Sequence, residues 1–237
     1  MASRAGWRPR MYFSLRSPYS WLALHDLHTR HADLLDVLEW RPAWDPDPES
    51  EALLIRAGGR YLYTPMSREK HLYALRDVRR LASARGLRVV WPVDRSPRWE
   101  VSHLAYLVAE GAGRGEGFAT AVCRARWEEG RDISDPAVVA EIGETLGLDG
   151  ARLAGAAEDP ALVEAGTDSL MAMYRDGVFG VPFFVHGGEQ FWGIDRLEMF
   201  VEHVRSLGVA GVQRNADAVG AEVAMAAGDD GHAGGCG

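Results

Sequence analysis

The sequence predicts an α/β fold in which a βαβ unit, a long helical section and a ββα unit follow one another. Three features of the 237-residue chain support this order. An apolar stretch at residues 11–15 is followed by Ser17 and Pro18, a pair typical of a helix N-cap and first turn. Helical periodicity dominates residues 42–174, and two strand-like segments joined by a Gly-Gly turn occupy residues 181–192.

The individual elements follow from local signals. We expect a first strand at 11–15, a helix from Ser17 to about His31 and a second strand at 35–40. The later strands are predicted at 181–186 and 190–192, before an amphipathic helix at 195–207. Between them, apolar spacing, Asp-Pro starts and Gly stops predict helices at 68–85, 103–110, 117–129, 136–146, 150–156 and 160–174.

This order is that of a thioredoxin-like fold with a large helical insertion. Residues 10–41 and 175–207 would form the thioredoxin-like domain, and residues 42–174 the inserted helical domain. Residues 208–237 are rich in Ala, Gly and Asp and are predicted to be a mostly disordered tail.

Composition narrows the classes of function. The net charge of −8 argues against nucleic-acid and anionic-membrane partners, and no apolar run is long enough to span a bilayer. The first residues lack the apolar segment of a secretory signal, so we expect a cytoplasmic protein. Cys123 and Cys236 are too far apart for a CxxC motif, and no metal site is predicted.

The Ser-Pro-Tyr-Ser sequence at residues 17–20 stands at the first strand-to-helix corner. Thioredoxin-like oxidoreductases carry a Cys-Pro-x-Cys motif at this corner. Serine cannot form a disulfide, but its hydroxyl can hydrogen-bond the sulfur of an external thiol. The motif therefore indicates use of a thiol supplied by a cofactor.

Two further segments extend this prediction. Pro182 after Gly180-Val181 predicts a cis Val181–Pro182 bond, which would leave the Val181 backbone free to pair with an extended thiol peptide. The alternative is an ordinary trans proline at a strand edge. Asp195 is predicted to open the last helix and to hold an ammonium group; the alternative is a helix cap alone.

These segments, together with Lys70, Tyr73, Asp77, Arg80 and Ala82 and with residues 130–136, resemble one known family. The family is that of the 2-hydroxychromene-2-carboxylate isomerases and their kappa-class glutathione transferase relatives, in the DsbA-like branch of the thioredoxin superfamily. The resemblance covers about residues 10–206.

The resemblance implies a glutathione site, or a site for another low-molecular-weight thiol. The catalytic Ser17 would lie near the sulfur, the cysteinyl backbone would lie against Val181 and Pro182, and the γ-glutamyl end would meet Asp195 and Arg196. Candidate substrate-binding residues are Arg16, Tyr19 and Lys70. The alternative for Arg16 and Lys70 is a charge that only faces solvent, and the alternative for Tyr19 is a ring that only packs against its neighbours.

This chain also departs from the family pattern. Ser14 replaces the usual Asp, Arg16 replaces an apolar residue, Ile194 replaces a polar one, and residues 59–66 lack the usual Asn. These departures predict a substrate other than hydroxychromene carboxylate.

The predicted function is a thiol-assisted cis–trans isomerase of a conjugated aromatic or polyene carboxylic substrate, in aromatic catabolism or specialised metabolism. The alternatives are a kappa-like glutathione transferase and a non-catalytic thiol- or ligand-binding protein of the same fold. The partner is a small molecule, and a homodimer is left open.

Overall fold

A four-stranded mixed sheet forms the centre of the computed structural model, which describes residues 8–208. Its strands are β1 (Arg10–Phe13), β2 (Glu39–Pro42), β3 (Phe183–His186) and β4 (Glu189–Trp192), in the order β2-β1-β3-β4. β1 pairs parallel with β2 and antiparallel with β3, and β3 pairs antiparallel with β4. The predicted α/β thioredoxin-like architecture is confirmed.

Helices surround this sheet and fill the section between β2 and β3. They are α1 (Pro18–Arg30), α2 (Pro48–Arg56), α3 (Arg68–Ala84), α4 (Glu100–Gly111), α5 (Gly115–Trp127), α6 (Pro136–Thr145), α7 (Gly150–Ala154), α8 (Pro160–Arg175) and α9 (Leu197–Ser206). Four of them, α1, α2, α6 and α8, begin with a capping Ser or Asp followed directly by Pro. The cap accepts a backbone N–H and Pro has none to satisfy, which fixes where these helices start.

The structure differs from the prediction at three elements. The second strand begins at Glu39, because Ala32–Leu34 form a 3₁₀ turn that buries Leu34 and places residues 35–38, apolar apart from Asp36, ahead of the strand. The prediction missed α2, which buries only Ser50 and Leu54. The last α-helix begins at Leu197, after a 3₁₀ turn. The predicted tail, apart from Gly208, and Cys236 lie outside the described residues.

The core fixes the end of β1 from which the candidate site extends. Met11, Tyr12 and Phe13 are fully buried, and the Phe13 ring meets the Tyr106 ring of α4 edge to face, with centroids 5.0 Å apart. The Tyr12 hydroxyl donates to the Asp176 carboxylate just after α8, at 2.7 Å. The end of β1, from which the chain continues to Ser17, is therefore tightly packed in the core. Within residues 8–208, no helix combines the length and apolarity needed to cross a membrane.

Candidate active site

Ser17 caps α1 at the corner that follows β1. Its Oγ accepts the backbone N–H of Ser20 at 3.3 Å, and its own N–H donates to the Ser14 carbonyl at 2.9 Å. Because the oxygen serves the helix as an acceptor, the hydroxyl hydrogen remains free to donate outward. The half-buried Ser17 thus presents a donor beside the positive end of α1.

Ser20, the second serine of the motif, has a different environment. It is fully buried, and its Oγ accepts the backbone N–H of Ser14 at 3.2 Å. Ser20 therefore holds the corner together, whereas Ser17 faces solvent space.

A long open groove of about 2450 Å³ runs past Ser17. This volume exceeds the roughly 300–1,000 Å³ of a pocket for one small ligand, so the open groove has room for more than one small molecule. Seven of the eight residues predicted from sequence line it: Arg16, Ser17, Tyr19, Lys70, Val181, Asp195 and Arg196. Pro182 is not part of the lining.

The loop before β3 offers unpaired backbone groups to this groove. The Val181–Pro182 peptide is cis, as predicted. The Pro182 carbonyl accepts the Gly193 N–H at 2.9 Å, while the N–H and C=O of Val181 have no hydrogen bond to any part of residues 8–208. An extended peptide can therefore pair with Val181 as a strand pairs with a sheet edge.

Asp195 and Arg196 sit together on the groove wall after β4. The prediction that a helix opens at Asp195 was wrong, since residues 194–196 form a 3₁₀ turn and Asp195 is not the cap of α9. The turn follows Gly193 at a φ of +94°, a conformation suited to glycine. The Arg196 guanidinium donates to the Asp195 carboxylate at 2.9 Å, and both side chains are more than half exposed. The pair complements a group that carries both an ammonium and a carboxylate.

Arg16 lies beside Ser17 and is held by two neighbours. Its guanidinium forms an ion pair with Asp45 and lies over the Trp99 ring, 5.5 Å from the centroid. Asp45 also accepts the Tyr61 hydroxyl, and burial together with this carboxylate raises the pKa of Tyr61. Sequence reasoning missed Asp45. One signal could have indicated it: β1 and β2 run parallel, so the residues that follow the two strands lie at the same edge of the sheet.

Trp99 carries a second guanidinium. The buried Arg126 is 4.9 Å from the Trp99 centroid and donates to both oxygens of Asp94 at 2.8 Å. The wall next to Ser17 therefore combines an indole with two oriented cations, each balanced by a carboxylate.

His103 of α4 supports the corner from beneath, a role that sequence reasoning missed. Its Nε2 accepts the Leu15 N–H at 3.1 Å and lies 3.2 Å from the Ser14 hydroxyl, while Nδ1–H donates to the Trp99 carbonyl at 2.7 Å. Burial, reinforced by the charges of Arg16 and Arg126, lowers the pKa of His103 to about 3. The imidazole is therefore neutral and links the corner to Trp99.

Two predicted substrate contacts lie toward α3. The Tyr19 hydroxyl donates to Asp77 at 3.0 Å, and burial together with this bond raises the pKa of Tyr19. Tyr19 thus presents its ring rather than its hydroxyl. Lys70 is exposed and forms no ion pair within residues 8–208.

Neither a reactive cysteine nor a metal site is found among the described residues. Cys123 is buried in α5, as expected, and burial raises the pKa of its thiol to about 12, so it is chemically inert. Within the part of the chain that the structure describes, no three His, Cys, Asp or Glu side chains are placed to hold a metal ion together.

Comparisons with known proteins agree with this geometry. The profile of the DSBA-like thioredoxin domain matches residues 10–205. A 2-hydroxychromene-2-carboxylate isomerase of Sphingobium xenophagum is 30% identical over 200 residues, covering 81% of this chain and 95% of the relative.

Solved structures show the same fold. A 2-hydroxychromene-2-carboxylate isomerase superposes with a TM-score of 0.66 at 24% identity, over 88% of this chain and 98% of that one. The cytosolic disulfide reductase DsbM of Pseudomonas aeruginosa, in a structure with GSH, superposes with a TM-score of 0.53 at 19% identity, over 84% and 97%. The chain belongs to the DsbA-like thioredoxin domain family and, within it, to the group of the 2-hydroxychromene-2-carboxylate isomerases.

Proposed function

We propose that the chain is a thiol-assisted cis–trans isomerase of a conjugated aromatic or polyene carboxylic acid, acting in the cytoplasm in aromatic catabolism or specialised metabolism. The thiol is glutathione or a similar small thiol. The observation that carries the proposal is the free Ser17 hydroxyl at the start of α1, in the same groove as the unpaired backbone of Val181. The isomerase relative and the GSH-containing DsbM structure support it.

The described residues fit glutathione in three places. Val181 offers a backbone donor and acceptor for the cysteinyl unit. Asp195 and Arg196 match the ammonium and carboxylate of the γ-glutamyl end. Ser17 offers a hydroxyl donor for the sulfur.

The bound thiol supplies a nucleophile that adds reversibly to the conjugated double bond, so that the resulting single bond can rotate before the thiol leaves. Ser17 donates a hydrogen bond that stabilises negative charge on sulfur. The N-terminal end of α1 adds its partial positive charge. His103 keeps the corner in place without exchanging protons, because it is buried and neutral.

Other side chains of the groove provide for the substrate. Arg16 uses one nitrogen for Asp45, so its remaining N–H groups can bind a carboxylate. The exposed Lys70 offers a second cation. Tyr61 and the Tyr19 ring provide flat apolar surfaces for a planar molecule.

Activity measurements test this function. Conjugated aryl and polyene carboxylates, with 2-hydroxychromene-2-carboxylate among them, would be incubated with the protein with and without glutathione. The isomers would be followed by absorbance and chromatography. We expect turnover only with thiol, a loss in kcat of about 10²-fold or more in Ser17→Ala, and recovery in Ser17→Thr, which keeps the hydroxyl.

The control is Asp149→Ala, which removes a helix cap of α7 far from the groove and should leave kcat unchanged. Equal turnover without thiol, or in Ser17→Ala, would contradict the proposal. A stable thioether product in place of the isomer would instead identify a glutathione transferase.

A further inference from the structure

The Arg16 guanidinium is a fixed charge that still faces the groove. The ion pair with Asp45 and the Trp99 ring hold it in place. Its side chain is 32% exposed, and it makes no other hydrogen bond within residues 8–208. It directly precedes Ser17 in the chain, so its position is set by the same corner.

Two cations, Arg16 and Arg126, lie close to this corner, and each has a carboxylate partner. After burial, the charges that lower the pKa of His103 are those of Arg16 and Arg126. Nε2 of His103 bonds the Leu15 N–H, one residue from Arg16.

The other titratable groups of the groove fall into two sets. Most are paired or hydrogen-bonded to a neighbour: Arg126 with Asp94, Arg196 with Asp195, Arg85 with Asp26, Tyr19 and Tyr73 with Asp77, and Tyr61 with Asp45. The remaining ones lie before or on α3 and on β4: Tyr63, Arg68, Lys70, His71 and Glu189. Arg68 and Lys70 add further positive charge to the groove. Most of the other charges there are paired, and Arg16 is the cation closest in sequence to Ser17.

We propose that Arg16 lowers the pKa of the thiol bound beside Ser17 and that Asp45 limits this effect by partly neutralising Arg16. The inference rests on the proposed function, because it requires a thiol in the groove. A nearby cation stabilises a thiolate over a thiol, and a nearby carboxylate does the reverse. The Arg16–Asp45 pair thus sets how much of the bound thiol is ionised at neutral pH.

The test measures the thiol itself rather than turnover. Glutathione labelled with ¹³C at the cysteinyl Cβ would be bound to the protein, and its shift followed by NMR against pH. We expect Arg16→Gln to raise the pKa of the bound thiol by roughly 0.5–1 unit. Asp45→Asn should lower this pKa by a similar amount, because Arg16 then loses its counter-charge.

Opposite signs separate this effect from damage to the fold, which would shift both variants toward the value of free glutathione. Arg16→Lys keeps the charge and should stay near the wild-type pKa, which also covers the case in which Asp45→Asn does not fold. S-methylglutathione has no titrating thiol. Any difference in its affinity between these variants should therefore not depend on pH.

An identical pKa in wild type, Arg16→Gln and Asp45→Asn would overturn the inference and leave the proposed function standing. Absence of glutathione binding to the wild-type protein would instead overturn the proposed function, and this inference with it.

Discussion

Ser17 and Ser20 show how one short motif divides into two tasks. The Ser17 hydroxyl keeps its hydrogen for a ligand, whereas the buried Ser20 accepts the Ser14 N–H. The sequence identified the motif, because the Ser-Pro pair is a local helix-start signal. It did not identify His103, since the bond from Leu15 joins residues 88 positions apart and depends on how α4 packs under the corner.

The His103 contacts predict a measurable pH effect on stability. The folded pKa of about 3 lies below the ordinary histidine value of about 6.5, so the folded protein holds fewer protons than the unfolded chain. The stability that neutral His103 contributes is complete above about pH 6.5 and is lost as the pH falls toward 3.

His103→Gln replaces the imidazole with a group that does not titrate. We expect wild type to lose more free energy of unfolding between pH 7 and pH 4.5 than His103→Gln, measured by urea denaturation at each pH. Parallel pH profiles for the two proteins would show that His103 is not the titrating group.

At the scale of elements, helices were predicted from an apolar face, a start signal or both; α4 and α5 have no capping side chain, and apolar spacing alone identified them. α2 has the same Asp-Pro start as α6 and α8, but its two buried residues leave no clear periodicity. The second strand was misplaced because residues 34–38, apolar apart from Asp36, pack as a turn against the core, and such a run does not specify which conformation buries it.

The close packing of α8 against Leu104 and Trp44, beneath the candidate site, gives a prediction at the scale of elements. A Cβ at Gly166 would lie 2.5 Å from the Leu104 side chain and 3.3 Å from Trp44, whose ring stacks on His103. Gly166→Ala should therefore lower the free energy of unfolding by about 1–3 kcal/mol through overpacking.

Gly117→Ala is the matched control, because Gly117 is also inside a helix but has no atom within 4 Å of the added Cβ. It should raise the free energy of unfolding by up to about 1 kcal/mol, since alanine has the better helix propensity. Thermal or urea melting of both variants checks the pair. A higher free energy of unfolding in both variants would mean that the space at Gly166 is not limiting.

At the scale of the whole molecule, the order of elements and seven groove-lining residues could be predicted from the sequence. The contacts that hold Arg16 in this groove could not. Asp45 and Trp99 meet Arg16 only because β2 runs parallel to β1 and the segment before α4 returns to the same edge. Such contacts join distant parts of the chain, and no local pattern specifies them.

The central claim is that the groove holds a thiol between Ser17 and Val181. A crystal structure of the protein with glutathione tests it most directly. We predict sulfur within hydrogen-bonding distance of the Ser17 Oγ, the cysteinyl backbone paired with Val181, and the γ-glutamyl end against Asp195 and Arg196. Glutathione bound elsewhere, or with its sulfur turned away from Ser17, would contradict the account.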